Sequence, residues 1–312
     1  MSRHTHHLAA LLVALVLLAA ACTPSPTATQ PPGTVTPTLA PTATPAPLVF
    51  DGKAAFGHVQ AQMDIGDRPT GSEGSRRTAD YIASELVALG WEVQFQEYVY
   101  LGTPARNIIA KSGSGPIALI GAHYDTRRQA DHDPDAAKRT EPVPGANDGA
   151  SGVAVLLELA RVLEPETLGH QVWLVFFDAE DNGGIDGWEY IAGSRYFADN
   201  LTETPEFVII ADMIGDADQQ IYRERNSTVA LQDRIWALAA QLGYQDYFID
   251  EFKHSMLDDH TPFLQRGIPA VDLIDFDYPY WHTTADTTDK VSPEALERVG
   301  RVIEALLESL QP

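Results

Sequence analysis

The sequence predicts an α/β fold: three layers, with a central mixed, mostly parallel sheet between two layers of helices. Two observations predict it. From about residue 48 onward, apolar runs of strand length alternate with stretches of helical periodicity, the pattern of a parallel sheet covered on both faces. Three of those runs, "IALIG", "VWLVFF" and "FVIIA", are apolar throughout, as strands at the centre of such a sheet must be.

Each element has its own signal. Helical periodicity covers Lys53–Met63 and Glu73–Leu89. The strand-like runs "WEVQFQEY", "RNIIAK" and "IALIGAHYD" follow. A helix fits "GVAVLLELARVL", where Leu156, Leu157, Ala160 and Leu163 form one stripe. Then come the strand "VWLVFFD", a helix over Gly193–Ala198 and the strand "FVIIADMIG". A helix over Ala230–Leu242, a short helix over Thr261–Gln265, the strand "AVDLI" and a final helix, "PEALERVGRVIEALLESL", complete the order.

The chain has 312 residues and a formal charge of -23, spread along its length. A surface this acidic repels phosphate backbones, which argues against nucleic acid as a partner, and favours cationic ligands such as a free peptide N-terminus. Residues 1–22 read as a signal peptide: Arg3 and histidines, then "LAALLVALVLLAAA", a run too short for a membrane span. Cys22, the single cysteine, ends this segment as in the lipobox of bacterial lipoproteins, although Ala19 stands where Leu is usual. Residues 23–47 are almost entirely Thr, Pro and Ala, a composition that stays extended and unpacked. The expectation is an extracytoplasmic enzyme tethered to a bacterial membrane through Cys22, with residues 48–312 as the catalytic body. Ordinary secretion with a chance cysteine is the alternative.

In open α/β sheets, ligands bind beyond the carboxyl ends of the strands. Those ends carry metal-type side chains. "IALIGAHYD" ends in His123 and Asp125, two apart and so on one side of an extended chain. Asp125 is a candidate to fix the imidazole tautomer of His123. "VWLVFF" runs into Asp178, Glu180 and Asp181; "FVIIADMIG" into Asp212; "AVDLI" into a loop with Trp281 and His282. Asp148, in "GANDGASG", sits just before a helix. Singly, each has an ordinary explanation: a surface His–Asp pair, a helix cap, a loop carboxylate. Asp178 reads as structural. Together, two imidazoles and three carboxylates at one sheet edge suit Zn²⁺, and suffice for two ions sharing a carboxylate. Glu180 is left over as a general acid–base. It can serve the same site as Asp181 only if the strand ends and turns there, and the following "NGG" supplies a turn.

In order, "RPTGSEG", "GAHYDT", "GANDGASG", "FFDAED", "ADMIG", "DDHTPFLQRGIPA" and "YWHTTADT" make residues 50–310 resemble the M28 zinc-peptidase family. The resemblance implies a zinc-exopeptidase fold, metal ligands at His123, Asp148, Asp181, Asp212 and His282, Asp148 as the bridging ligand, and Glu180 as acid–base. Family members usually have Glu-Glu where this chain has Glu180-Asp181, so the shorter Asp181 must still reach the metal. Two activities are implied. Aminopeptidases of the family hold two zinc ions; animal-type glutaminyl-peptide cyclotransferases use one, at positions matching Asp148, Asp181 and His282.

The cyclase is favoured by Asp258, which would join Glu180 and Asp212 in a carboxylate set. Trp281 directly before His282 and "GSRYFAD" favour it too. Asp272, where the animal cyclases have histidine, and "GANDGASG" favour the peptidase. Trp281 and Trp188 are expected to wall the substrate pocket, although Trp188 is offset from the cyclase position. The remaining alternative is a catalytically inactive peptide-binding lipoprotein. The intact Glu180 and full ligand set argue against it, and chelator-sensitive turnover of N-terminal substrates would separate the two.

Overall fold

A computed structural model of the chain describes residues 48–311. The predicted signal peptide, Cys22 and the Thr/Pro-rich tether lie outside the described residues. The described part forms eight strands and seven α-helices. In order these are α1 (Gly52–Ile65), α2 (Glu73–Ala88), β1 (Glu92–Tyr100), β2 (Thr103–Gly113), β3 (Ile117–His123) and α3 (Ala150–Val162). Next come β4 (Gln171–Phe177), α4 (Ala192–Asp199), β5 (Phe207–Asp212), β6 (Ile221–Arg223) and α5 (Val229–Gln241). The chain ends with β7 (Phe248–Phe252), α6 (Thr261–Leu264), β8 (Ala270–Ile274) and α7 (Pro293–Glu308).

Six strands form one sheet in the order β1-β2-β4-β3-β5-β8. β4, β3, β5 and β8 are mutually parallel, and β2 and β1 add on antiparallel. The sheet is therefore mixed and mostly parallel, and the three runs predicted to be central are β4, β3 and β5. Alternate residues of these strands feed two cores. Ala118, Ile120, Leu174, Phe176, Ile209 and Ala211 pack against α1, α2, α3, α5 and α7. Leu119, Trp173, Val175, Phe177, Val208 and Ile210 pack against α4 and α6. Burying each of the Leu, Ile, Val and Phe side chains among these stabilises the fold by roughly 1.5–3 kcal/mol. β6 and β7 pair apart from the main sheet; neither was read from the sequence.

The helix ends follow ordinary chemistry. Asp51 caps α1, Ser72 caps α2, and Ser292 caps α7 with Pro293 as its first residue. α3 is different: its N-cap is Gly149, with no side-chain cap. Asp148 is thus not occupied as a helix cap. Because β3, β4, β5 and β8 run parallel, their carboxyl ends lie along one edge, and the loops after them converge there.

Candidate metal centre and active site

Five separate positions along the chain meet at that edge. His123 is the last residue of β3 and Asp212 the last of β5. Asp181 lies in the loop after β4, Asp148 just before α3, and His282 in the loop after β8. His123 Nε2 is 3.1 Å from Asp212 Oδ1 and 3.2 Å from Asp148 Oδ1. His282 Nε2 is 2.8 Å from Asp181 Oδ1 and 3.9 Å from Asp148 Oδ2. Asp148 therefore faces both imidazoles, one with each oxygen. His123, Asp148 and Asp212 can present ligand atoms all within 4.8 Å of one another, and so can Asp148, Asp181 and His282. The shorter Asp181 reaches the centre.

These donors fit a divalent cation. All five side chains are buried. Asp148 Oδ2 and Asp181 Oδ2 are buried with no hydrogen-bond partner, a costly state for a carboxylate unless a cation satisfies it. Two imidazole nitrogens and three carboxylates are a zinc-type donor set. Burial pushes Asp181 well above the usual carboxylate range, and neighbouring Asp148 adds to this. For Asp148, burial is outweighed by the hydrogen bond and charge of His123, and its pKa is lowered. Burial takes His282 down to about 3, so it is a neutral imidazole.

The loops are held by groups that bind main chain. The Asp125 carboxylate accepts from the main-chain N–H of Glu180 at 3.0 Å and of Asp181 at 3.3 Å, and from Thr70 Oγ1 at 3.1 Å. The expected tautomer control of His123 comes from a different atom of the same residue. Nδ1 is 3.1 Å from the Asp125 main-chain carbonyl and 3.7 Å from its carboxylate. A carbonyl can only accept, so Nδ1 carries a proton; Nε2 faces Asp148 and Asp212, and would present its lone pair to a cation held between them. Asp286 accepts from the N–H groups of Asn147 at 2.9 Å and Asp148 at 3.1 Å. Fully buried Arg68 donates to the carbonyls of Tyr124 at 3.2 Å and Gly145 at 2.5 Å, joining the end of β3 to the Asp148 loop.

Glu180 and Asp181 serve one site because the strand ends before them. Ala179 has φ 61, and the loop closes through N–H bonds from Ile191 to the Glu180 carbonyl and from Ala192 to the Ala179 carbonyl, both 3.0 Å. Gly184, in the expected turn, has φ 80. Asp178 is structural as read: its carboxylate accepts from the N–H groups of Arg106 at 3.0 Å and Ala179 at 2.9 Å. Met213 (φ 46) and His282 (φ 57) are also left-handed. Such backbone strain is typical of sites that must aim a side chain.

A cavity of about 240 Å³ opens over the cluster, lined by Asp148, Glu180, Asp181, Asp212, Asp258 and His282 together with apolar groups. Trp281 lines it and stacks on His282 with ring centroids 3.8 Å apart. Burial pushes Glu180 well above its usual range; His123 opposes this, and Asp181, Asp259 and Asp258 add to it. Asp258, in the same wall, is pushed up to about 7, by burial and then by the charge of Asp212. Asp272, buried behind them, is raised by burial and by Asp258.

Trp188 is a correction. It does not line the cavity but packs with Tyr98, Ala105, Ala179 and Ala192 beneath the loop. The turn through Ile191 (φ 58) places Tyr190 at the wall instead. Phe276, Met256, Met213 and Ile274 are further wall residues not singled out from the sequence.

Residues 107–307 match the model of peptidase family M28. The uncharacterised protein YfbL of Escherichia coli is 30% identical over 258 residues, covering 72% of this chain and 76% of YfbL. The solved glutaminyl cyclase of Tannerella forsythia is 34% identical with a TM-score of 0.78, over 84% of this chain and 99% of that one. A Zn-dependent exopeptidase from Parabacteroides distasonis is 32% identical with a TM-score of 0.79, over 84% and 99%. With a metal-type donor set at the strand ends, a matching fold and these similarities, the chain belongs to peptidase family M28.

Proposed function

We propose that this M28 enzyme is a glutaminyl-peptide cyclotransferase, which closes an N-terminal glutamine into pyroglutamate and releases ammonia. The observation that carries the reading is that Asp258 lines the cavity with Asp212 and Glu180, facing the Asp148, Asp181 and His282 cluster across a pocket whose other walls are apolar and aromatic side chains. Similarity to the Tannerella forsythia glutaminyl cyclase supports it. Asp148, Asp181 and His282 would hold one zinc ion, which when bound polarises the γ-carbonyl of the substrate glutamine.

The rest of the chemistry falls to the chain's own groups. Glu180 takes a proton from the substrate α-amine as its nitrogen bonds to the carbonyl carbon (Cδ) of the side-chain carboxamide. It delivers that proton to the carboxamide nitrogen as the bond between Cδ and that nitrogen breaks, releasing ammonia. Asp212 and Asp258 share one proton, which limits the negative charge facing Glu180. Trp281, Phe276, Tyr190 and Met256 exclude water, so the internal amine meets no competing nucleophile.

A second reading is favoured by one observation: His123, Asp148 and Asp212 gather as closely as the other three ligands. With both positions filled the chain would be a two-zinc aminopeptidase, and Glu180 would pass a proton from an attacking water to the leaving amine. Incubation with a Gln-initiated peptide decides between them by mass. The cyclase yields a product lighter by one ammonia; a peptide shortened by one residue overturns that assignment. The extracytoplasmic, Cys22-tethered location is part of the same proposal. Its check is incorporation of labelled fatty acid in a bacterial host, lost in Cys22→Ala; no label in the parent chain rejects it.

A further inference from the structure

A buried guanidinium ties together the two loops that carry Asp181 and His282. Arg127, on the connection after β3, is buried. Its Nη1 donates to the Asp181 carbonyl at 2.8 Å and its Nη2 to the Gly183 carbonyl at 3.1 Å. Its Nε and Nη2 also grip the two oxygens of Asp131, each at 2.7 Å. Asp131 Oδ1 in turn lies 3.8 Å from His282 Nδ1. That nitrogen is buried and without a hydrogen-bond partner. Next in the chain, the main-chain N–H of His132 donates to the His282 carbonyl at 3.2 Å.

A metal-ligating imidazole is aimed by what its second nitrogen meets. For His123 that is a main-chain carbonyl, which no substitution removes. For His282 the acidic group facing Nδ1 is a side chain, Asp131, at 3.8 Å and itself fixed by Arg127. We infer that Arg127 and Asp131 are positioning residues for the Asp181–His282 half of the metal centre, and that they set how tightly this half holds zinc. The inference rests on the zinc reading of Asp148, Asp181 and His282. Asp131, His132 and His282 are also close enough to hold a cation of their own. Arg127 already engages both Asp131 oxygens, however, so such a cation would have to displace a two-pronged ion pair.

Zinc affinity tests this, measured by competition with a chromophoric chelator on the purified chain, Asp131→Asn, Asp131→Glu and His282→Ala. Cobalt(II) absorption spectra and metal-free thermal unfolding accompany it. Asp131→Asn is expected to bind zinc ~10- to 100-fold more weakly. It should also show an altered cobalt spectrum and leave metal-free unfolding near that of the parent, with part of the loss restored in Asp131→Glu. Unchanged affinity and spectrum in Asp131→Asn overturn the inference. So does a fall in metal-free stability with the spectrum intact, which is a structural role only. So does loss in Asp131→Asn of a separate, second zinc equivalent. A parent chain with no zinc sensitive to His282→Ala removes the zinc reading itself, and the inference with it. Asp131 is partly exposed, which favours folding of its variants. Should Asp131→Asn not fold, Arg127→Lys keeps the charge, loses the two-pronged grip, and carries the same expectation.

Discussion

Glu180 lines the cavity beside the candidate ligands Asp148, Asp181 and His282 and the carboxylates Asp212 and Asp258. Glu180→Gln keeps the shape and removes the proton acceptor. Turnover should fall by about 10²-fold or more with zinc content unchanged, read by ammonia release and metal analysis; normal turnover contradicts the role. A second residue gives a pH signature away from the metal. Glu224 accepts from the N–H groups of Asn226 at 2.9 Å, Ser227 at 2.7 Å and Met256 at 2.8 Å. Burial opposes its ionisation, but His260 and those N–H groups win and hold it at about 2. Its folded pKa is below the unfolded value of about 4.3, so its contribution is present above that pH and lost as pH falls towards about 2. Glu224→Gln should therefore cost about 1–3 kcal/mol at pH 7, with the gap to the parent narrowing below pH ~4 in urea unfolding. At this scale the clustering of the candidate ligands was legible because imidazole and carboxylate are conspicuous at the ends of apolar strands. Arg127 was not, because an arginine in a polar loop looks like a surface residue until its partners are seen. Trp188 was not, because a pocket tryptophan and a packed one look alike in sequence; here it follows the left-handed Asp186 and Gly187 and packs against Tyr98 and Ala179.

Long elements were legible because burial imposes a period on them. α3, whose every residue but Arg161 is buried, was found from its apolar stripe to within two residues of its start. β6 has only three residues and carries no such period, so the pair it makes with β7 appears only in three dimensions. Close packing adds a test. Gly152 in α3 lies against the Ala211 carbonyl of β5, leaving no room for a Cβ. Gly152→Val should push α3 off the strand that ends in Asp212 and cost about 1–3 kcal/mol, measured by thermal unfolding. An unchanged unfolding temperature would show that this contact yields freely.

At the scale of the molecule, the chain carries 44 acidic and 21 basic residues. Field lines from such a surface draw in cationic N-termini and repel acidic peptides. Gln-initiated peptides with basic following residues should show higher kcat/KM than acidic ones at low salt, and the ratio should shrink as ionic strength rises. A salt-independent ratio would remove steering from the account. Alternation of strand and helix gave the layers before any coordinates, and the shared edge followed from parallel strands. What needed the structure was the pairing of oxygens with nitrogens, above all Asp148 facing both imidazoles. Anomalous X-ray scattering at the zinc edge, from crystals of the purified chain, tests that centre most directly. A peak bound by Asp148, Asp181 and His282 is the expected result; zinc-loaded crystals with no peak among these side chains would contradict it.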